Sequence, residues 1–239
     1  MDIDLTRKLS TYHPAEASIE LVKQTPVLLL VGPTGAGKDS LKERLLKTGS
    51  YHHIVSHTTR QPRINQGVPE QDGREYHFIS DVTAEKMLDD QAFIEAKIYS
   101  GHLYGTSVAE IRSASDEGKI AMTDIEVQGV AEYKALDPDV MAIFLLPPDF
   151  ETWQTRLRRR YGDVVDADDT RRRMQTAQEE IEQLLNTGYY VALINDKLDE
   201  TFKQVQAITK DHSKIDDSAA RETAKRLARN IQGHLAQTD

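Results

Sequence analysis

Four short apolar runs punctuate the chain: residues 27–31 (VLLLV, behind Pro26), 119–125 (KIAMTDI), 140–146 (VMAIFLL) and 189–194 (YYVALI). Each is short for a globular helix and too continuously apolar for a strand with one wet face, so each predicts a strand buried on both faces. Between and beside them lie longer stretches of helical character, at 39–47, 107–117, 127–135 and 149–161. Short buried strands alternating with helices predict an α/β fold, a parallel sheet covered by helices. The stretch from about 51 to 106 breaks this rhythm. It is rich in Thr, Arg, Tyr and His, carries turn signals at 65–67 and Asp72-Gly73, and predicts a small inserted lobe. Residues 1–24 are polar and weakly patterned and read as an extension ahead of a main domain of 25–212. Over 213–239, Ala220, Ala224, Leu227, Ala228, Ile231 and Leu235 recur at helical spacing, the mark of an amphipathic helix that must pack on something.

Composition narrows the class. A chain of 239 residues holds one sizeable core. Its longest apolar run falls far short of the ~20 residues a membrane helix needs. The N-terminus, MDIDLTRKLS, lacks the basic-then-apolar order of a secretion signal. With no cysteine there are no disulfides, thiol nucleophiles or thiolate metal sites. These features fit a cytoplasmic protein with no membrane partner. A net charge of -9 argues against a nucleic-acid partner, which calls for a basic face. The positive charge is instead concentrated. Arg156, Arg158, Arg159, Arg160, Arg171, Arg172 and Arg173 crowd into one short stretch able to focus an anionic ligand.

Behind the first apolar run comes Gly32-Pro33-Thr34-Gly35-Ala36-Gly37-Lys38-Asp39-Ser40. It holds G-x-x-x-x-G-K between a strand pattern and a helix pattern, the context a P-loop requires. Glycines let the backbone turn its N–H groups inward. The helix start adds partial positive charge, and Lys38 supplies a full mobile charge for the outer phosphates. The expected fold is that of P-loop NTPases, with Gly32, Thr34, Gly35, Ala36, Gly37, Lys38, Asp39 and Ser40 as ATP contacts. The hydroxyl that usually follows the lysine and ligates Mg2+ is here replaced by Asp39. Ser40 comes next, but one step round a helix turns it ~100° away. Two readings of Asp39 stay open: a helix-start carboxylate that caps or complements the dipole, or an acidic contact to Mg2+ or its waters.

A second constellation follows. Arg60 and Arg63, behind Ser56-His57-Thr58-Thr59, are spaced to clamp one phosphate with forked, charge-assisted bonds, although such a pair is also an ordinary solvated surface. Then come Asp72-Gly73-Arg74-Glu75-Tyr76-His77-Phe78, Phe93-Ile94-Glu95, Tyr104-Gly105-Thr106-Ser107 and Asp124-Ile125-Glu126-Val127-Gln128-Gly129, with I-N-D-x-L-D from Ile194. In this order the segments resemble the guanylate kinase family across about 25–210. The resemblance implies a five-stranded parallel sheet, a small acceptor-binding lobe and an Arg-rich lid at about 156–173. It implies that Arg60, Arg63, Tyr76 and Tyr104 hold the acceptor phosphate. Ser56, Glu95 and Thr106, with Gly105 beside it, would read the guanine edge, and Glu126 would help hold the base. Arg156, Arg160 and Arg173 would close over ATP around a mobile loop at 162–169. Asn195 would lie on the adenine side. Asp124 would orient water on Mg2+, with Asp39 as the other metal-side residue. Lys38, Asp124 and the three lid arginines then form the catalytic group. The chemistry agrees: guanine N1–H and N2–H donate to a carboxylate such as Glu95, while O6 and N7 accept from hydroxyls.

Three features depart from the family pattern. Asp39 is one. Glu126 stands where the family usually has Asp, and its extra methylene carries the carboxylate ~1.5 Å further. The segment between Arg63 and Asp72 is a few residues longer than usual. A family of ribose 1,5-bisphosphate phosphokinases shares the fold and G-K-D-S, and its acceptor has no base, so it stands as the alternative enzyme. Guanylate-kinase-like protein-binding modules are the alternative class, but they typically lose the phosphate loop and lid arginines that this chain carries. The reading is an ATP-dependent phosphotransferase with Mg2+ as cofactor, a nucleoside monophosphate kinase converting GMP (or dGMP) and ATP to GDP and ADP.

Overall fold

The structure, a computed structural model, describes residues 4–65, 67–161, 167–211 and 214–237. In chain order it begins α1 (Leu5–Leu9), α2 (Glu16–Gln24), β1 (Val27–Val31), α3 (Lys38–Leu46), β2 (Tyr51–His53) and β3 (His57–Thr58). It continues β4 (Ile64–Asn65), β5 (Val68–Pro69), β6 (His77–Phe78), α4 (Asp81–Asp89), β7 (Phe93–Tyr99), β8 (His102–Ser107) and α5 (Val108–Asp116). The rest is β9 (Ile120–Asp124), α6 (Val127–Leu136), β10 (Met141–Leu146), α7 (Phe150–Tyr161), α8 (Ala167–Asn186), β11 (Tyr190–Ile194), α9 (Leu198–Asp211) and α10 (Ser218–Leu235). The four apolar runs are β1, β9, β10 and β11, and the helices expected between them begin and end within one residue of their expected bounds.

Two compact units divide the chain. One holds Met1–Val27, Gly49–Thr123 and Ala131–Val140; the other holds Leu28–Thr48, Asp124–Val130 and Met141–Asp239. In the second unit β1, β10 and β11 pair in parallel, with Leu28 opposite Met141 and Ala142 opposite Tyr190. β1 is buried at every position, as its unbroken apolar sequence requires. The amphipathic C-terminal stretch is α10. It lies against α8 and β11 and buries Ala220, Ala224, Leu227 and Ile231. It also covers part of the sheet's edge: Asp217 Oδ2 accepts from the Ala192 N–H at 3.0 Å, and Arg221 donates to Tyr190 O at 3.0 Å. Open edge groups of this kind invite pairing with another chain.

In the first unit β2 pairs in parallel with β9. Strands β1 and β9 both cross the division. The Ala121 N–H donates to Pro26 O within the first unit and the Ile125 N–H to Leu30 O within the second, giving the strand order β11-β10-β1-β9-β2. Thus Tyr51–His53, at the start of the stretch that reads as the insert, is a strand of the parallel sheet. Three residues, two of them half-buried histidines, are too few to show a pattern. The lobe proper is a second sheet, β6-β3-β8-β7, in which β7 and β8 form an antiparallel hairpin. The turn signal at 65–67 lies between β4 and β5, which pair Ile64 with Pro69. The polar N-terminal stretch is folded. α1 packs on α4 and β7, where Leu5, Leu9 and Tyr12 join Ala84, Leu88, Phe93 and Leu103, and α2 packs on α5. Its apolar positions are divided between two helices, Leu5–Leu9 and Glu16–Gln24, each too short for a repeat to register as periodicity. No helix among the described residues is long and apolar enough to cross a membrane.

Candidate active site

In the second unit the chain leaves β1 and turns through residues 32–37 into α3. Gly37 has a φ of +97°, and a Cβ there would collide with Asn195 Nδ2, so the loop requires glycine on both counts. Lys38 folds its ammonium back over the loop, donating to Gly32 O and, at 3.4 Å, to Pro33 O. Burial pushes its pKa down, against the pull of Glu180, Asp124 and Asp39. Its bonds are to neutral carbonyls alone, so phosphate oxygens would be stronger partners. Trp153 on α7 is buried and donates from Nε1 to Thr34 O at 2.7 Å. Asn195, after β11, is buried too: Nδ2 donates to Ala36 O at 2.8 Å and Oδ1 accepts from Thr201 Oγ1 at 3.1 Å. Its amide, expected on the adenine side, therefore braces the loop.

The lid residues part company. Arg156 Nη1 donates to Asn195 O at 2.9 Å, whereas Arg160 pairs with Asp39 at 2.9 Å. Arg173 bonds Asp169 Oδ2 at 2.8 Å and sets its guanidinium 3.9 Å from the Tyr161 ring centroid. Most of the loop expected to be mobile, 162–166, lies outside the described residues. Asp39 lies in the first turn of α3, where its charge complements the helix dipole; the N-cap is Gly37, which has no side chain to cap with, and the Asp39 carboxylate reaches the lid arginine. Ser40 is exposed. Asp124 pairs with Lys42 at 2.5 Å. Burial would raise its pKa, but Lys42 and then Lys38 outweigh it and hold the carboxyl below the ordinary range.

In the first unit Arg60 is buried at the centre of a polar cluster. Nη1 and Nη2 grip Glu70 at 2.8 and 3.1 Å, Nη1 also donates to Gln61 O at 2.7 Å, and Nε donates to Tyr104 OH at 3.1 Å. That engages four of the five guanidinium N–H groups, and no described residue accepts from the fifth, on Nη2. The Tyr76 ring lies 5.3 Å from this guanidinium and 5.7 Å from the Tyr104 ring. Arg63 joins only through its backbone: its N–H donates to Glu70 Oε2 at 2.7 Å while its side chain is exposed. Ser56 O accepts from the His77 N–H at 2.9 Å. Across the β7–β8 ladder Glu95 stands opposite Thr106, both buried. Gly105 makes the close approach possible, since a Cβ there would sit 2.7 Å from Glu95 O. Burial pushes the Glu95 carboxyl up to about 7, with Thr106 opposing and Glu132 adding to the rise. Thr106 Oγ1, Glu132 Oε2 and Tyr133 OH are buried and find no partner at hydrogen-bonding geometry among the described residues.

The guanylate kinase family model matches residues 23–212. This chain belongs to the guanylate kinase family. It is 38% identical over 190 residues to the guanylate kinase of Schizosaccharomyces pombe, a match covering 78% of this chain and 91% of that protein. To the guanylate kinase of Nitrosospira multiformis it is 35% identical over 210 residues, covering 87% and 92%. To the human guanylate kinase it is 33% identical over 182 residues, covering 75% and 89%. The crystal structure of guanylate kinase from Anaplasma phagocytophilum superimposes with a TM-score of 0.56 over 86% of this chain and 94% of that one; at 22% identity it establishes the shared fold.

Several residues of the candidate site escape the sequence motifs. Glu70 follows the lengthened 63–69 segment, and no periodicity ties it to Arg60. Glu132 and Tyr133 lie in α6, after the D-I-E-V-Q-G segment. Glu180 did leave a trace, because it interrupts the buried stripe of Ala177, Ile181 and Leu184 on α8. Its Oε2 is shut off from solvent with no partner among the described residues. Burial lifts its carboxyl to about 7, with Glu126 adding and Lys38 opposing. Glu126, expected with the acceptor residues, is exposed and belongs to the second unit. Among the described residues no group of three or more His, Cys, Asp and Glu could hold a metal alone. That suits Mg2+ carried in with a nucleotide, which needs only one or two carboxylates besides phosphate and water. Asp39 and Asp124, whose fields both reach Lys38, are oxygen ligands of the right kind.

Proposed function

We propose that this chain is a guanylate kinase that transfers the γ-phosphoryl group of ATP to GMP or dGMP, releasing ADP and GDP or dGDP. The catalytic domain on this reading is 25–212, acting in the cytoplasm. The observation that carries the choice of acceptor is the buried Glu95 opposite Thr106, beside Thr106 Oγ1, Glu132 Oε2 and Tyr133 OH, which have no partner at hydrogen-bonding geometry among the described residues. Leaving such groups unpaired is costly, and a base with two adjacent N–H donors satisfies a carboxylate there. A ribose bisphosphate offers no such edge. The poised Lys38 supports a catalytic chain over a scaffold with a dead loop.

Phosphoryl transfer asks for positioning and charge stabilisation more than covalent work. Lys38 would leave the Gly32 and Pro33 carbonyls for the donor's outer phosphates, beside the loop's inward N–H groups. Arg156, Arg160 and Arg173 would close over the donor, and closure excludes the water that would otherwise take the phosphoryl group. Arg60, through its remaining N–H, would hold the acceptor phosphate with Tyr76, Tyr104 and the exposed Arg63. Glu95 and Thr106 would hold the base. Asp39 and Asp124 would hold Mg2+ through its waters; when bound, the ion neutralises charge on the donor phosphates.

The test is ADP release from Mg-ATP with GMP, dGMP, AMP, UMP and ribose 1,5-bisphosphate offered separately. GMP and dGMP should be turned over well above the others. Turnover with ribose 1,5-bisphosphate and none with GMP would overturn the proposal in favour of the sugar kinase. ATP binding without turnover of any acceptor would leave a nucleotide-binding protein rather than this enzyme.

A further inference from the structure

Strand β7 does not keep the plain alternation of a strand. Phe93 stands opposite Ser107 while Glu95 stands opposite Thr106, so Ile94 is one residue too many and the strand is bulged there. The bulge has a consequence for the faces. In an unbroken strand Phe93, Glu95 and Lys97 would point the same way. Here Phe93 shares one apolar cluster with Ala96 and Ile98, on the side of α1 and α4. Glu95 and Lys97 are turned to the other face, where Glu95 meets Thr106 and Glu132. Without the bulge, Glu95 could not face Thr106 while Phe93 stays in the core.

The bulge is clamped from the N-terminal stretch. Tyr12 OH donates to Phe93 O at 2.5 Å and accepts from the Phe93 N–H at 3.0 Å. One hydroxyl thus holds both polar backbone groups of the residue at which the register shifts. A bulge disrupts its ladder locally, and buried backbone groups need partners, so this is where an outside clamp matters most. Tyr12 is itself fixed. Its ring packs on the Phe93 cluster, and Gln91 Nε2 donates to the next residue's carbonyl, His13 O, at 3.0 Å; the Lys8–Asp89 pair at 2.6 Å ties α1 down separately. Burial, and after it the nearby Glu95 carboxylate, makes Tyr12 harder to ionise, against the pull of its bond to Phe93. Tyr12 lies ahead of residues 23–212, the part that matches the family model.

We infer that Tyr12 is a positioning residue for acceptor specificity: by pinning the β7 bulge at Phe93 it aims the Glu95 carboxylate at the base of the acceptor nucleotide. This rests on the reading of Glu95 as the base-holding carboxylate, and the test separates the two. Tyr12→Phe keeps the ring and removes one oxygen. Its KM for GMP should rise about tenfold, with kcat and the KM for ATP moving less than about twofold. Its preference for GMP over IMP, which lacks the 2-amino group, should narrow. Glu95→Gln should raise the GMP KM further, and adding Tyr12→Phe to it should change little, because both act through one contact. Lys8→Ala, which loosens α1 but leaves the hydroxyl, should keep the wild-type GMP/IMP preference. If Glu95→Gln leaves the GMP KM unchanged, the base-holding reading falls. If Glu95→Gln raises it while Tyr12→Phe leaves both KM and preference at wild-type values, the clamp falls alone. A Tyr12→Phe chain that does not fold, or that only melts earlier, would also overturn the inference and leave Tyr12 a purely structural residue.

Discussion

Glu95 is buried opposite Thr106, and its protonation state should govern how well the enzyme takes GMP. Burial pushes the carboxyl up to about 7. Only the ionised form accepts from both N1–H and N2–H of guanine; the acid form spends one oxygen as a donor. The sign follows directly. Raising the pH through about 7 increases the competent fraction, so kcat/KM for GMP should grow about tenfold between pH 6 and pH 8 and then level off. The phosphate of GMP titrates near pH 6 as well, but it does so for every enzyme form, so the Glu95→Gln profile supplies the baseline. Gln cannot accept from both donors. Losing a charge-assisted pair of bonds at about 3 kcal/mol should cost roughly 100-fold in kcat/KM at high pH. The wild-type advantage should shrink to about a tenth of that value by pH 6. Glu132→Gln removes the negative neighbour that adds to the rise, and should move the midpoint to lower pH. The assay is initial-rate ADP formation followed by chromatography, since coupling enzymes carry their own pH dependence, over about pH 5.5 to 8.5. A wild-type-to-variant ratio that stays flat over this range would refute the assignment of Glu95.

Lys38→Ala should abolish transfer while leaving the melting temperature close to wild type, because the ammonium bonds loop carbonyls rather than core; initial rates beside a thermal melt would check it. Trp153→Phe should destabilise the chain by about 1–3 kcal/mol and raise the KM for ATP, since it leaves Thr34 O without its donor; urea unfolding and ATP kinetics measure the two effects. Asp39→Ser should change stability by less than about 1 kcal/mol, because its pair with Arg160 is half exposed. The same change removes a carboxylate from beside the donor phosphates and should tighten metal-free ATP by about 1 kcal/mol, roughly fivefold. Calorimetric titration with and without Mg2+ decides it: an unchanged ratio between the two affinities would leave Asp39 as nothing more than the partner of Arg160.

What could be read in the sequence was local or continuous. The four main sheet strands show as apolar runs because both their faces are buried, and the phosphate loop shows because one tight turn needs its glycines and lysine adjacent. The two-residue strands β3 and β6 carry no pattern of their own; they exist through pairing with β8 and with each other. The same distinction separates the site residues. Arg60, Tyr76 and Tyr104 surface through motif order and come together in the structure. Glu70 and Tyr12 are held by partners that only the tertiary fold supplies, Tyr12 being 81 positions from Phe93. The polar stretch of residues 1–24 reads as an extension, yet Leu5, Leu9 and Tyr12 from it join the core cluster of Phe93 beneath β7.

On the proposed reading, the carboxylates paired with the arginines assigned to phosphate divide the site into a rigid part and a yielding part. Arg160 with Asp39 and Arg173 with Asp169 are pairs with substantial exposure. Exchanging such a carboxylate for a phosphate oxygen costs little, because exposed pairs contribute about 0–1 kcal/mol. Arg60 with Glu70 is different: each side chain is only 7% exposed, and breaking a buried pair costs about 3–5 kcal/mol. On the proposed reading an acceptor phosphate would therefore not displace Glu70. It would use instead the Nη2 N–H that no described residue engages, beside Tyr76, Tyr104 and the exposed Arg63. Preorganised donors lose little freedom on binding, so the acceptor lobe is stiff where discrimination is needed. Arg160 and Arg173 rest on weak partners they can leave, as the proposed closure over the donor would require.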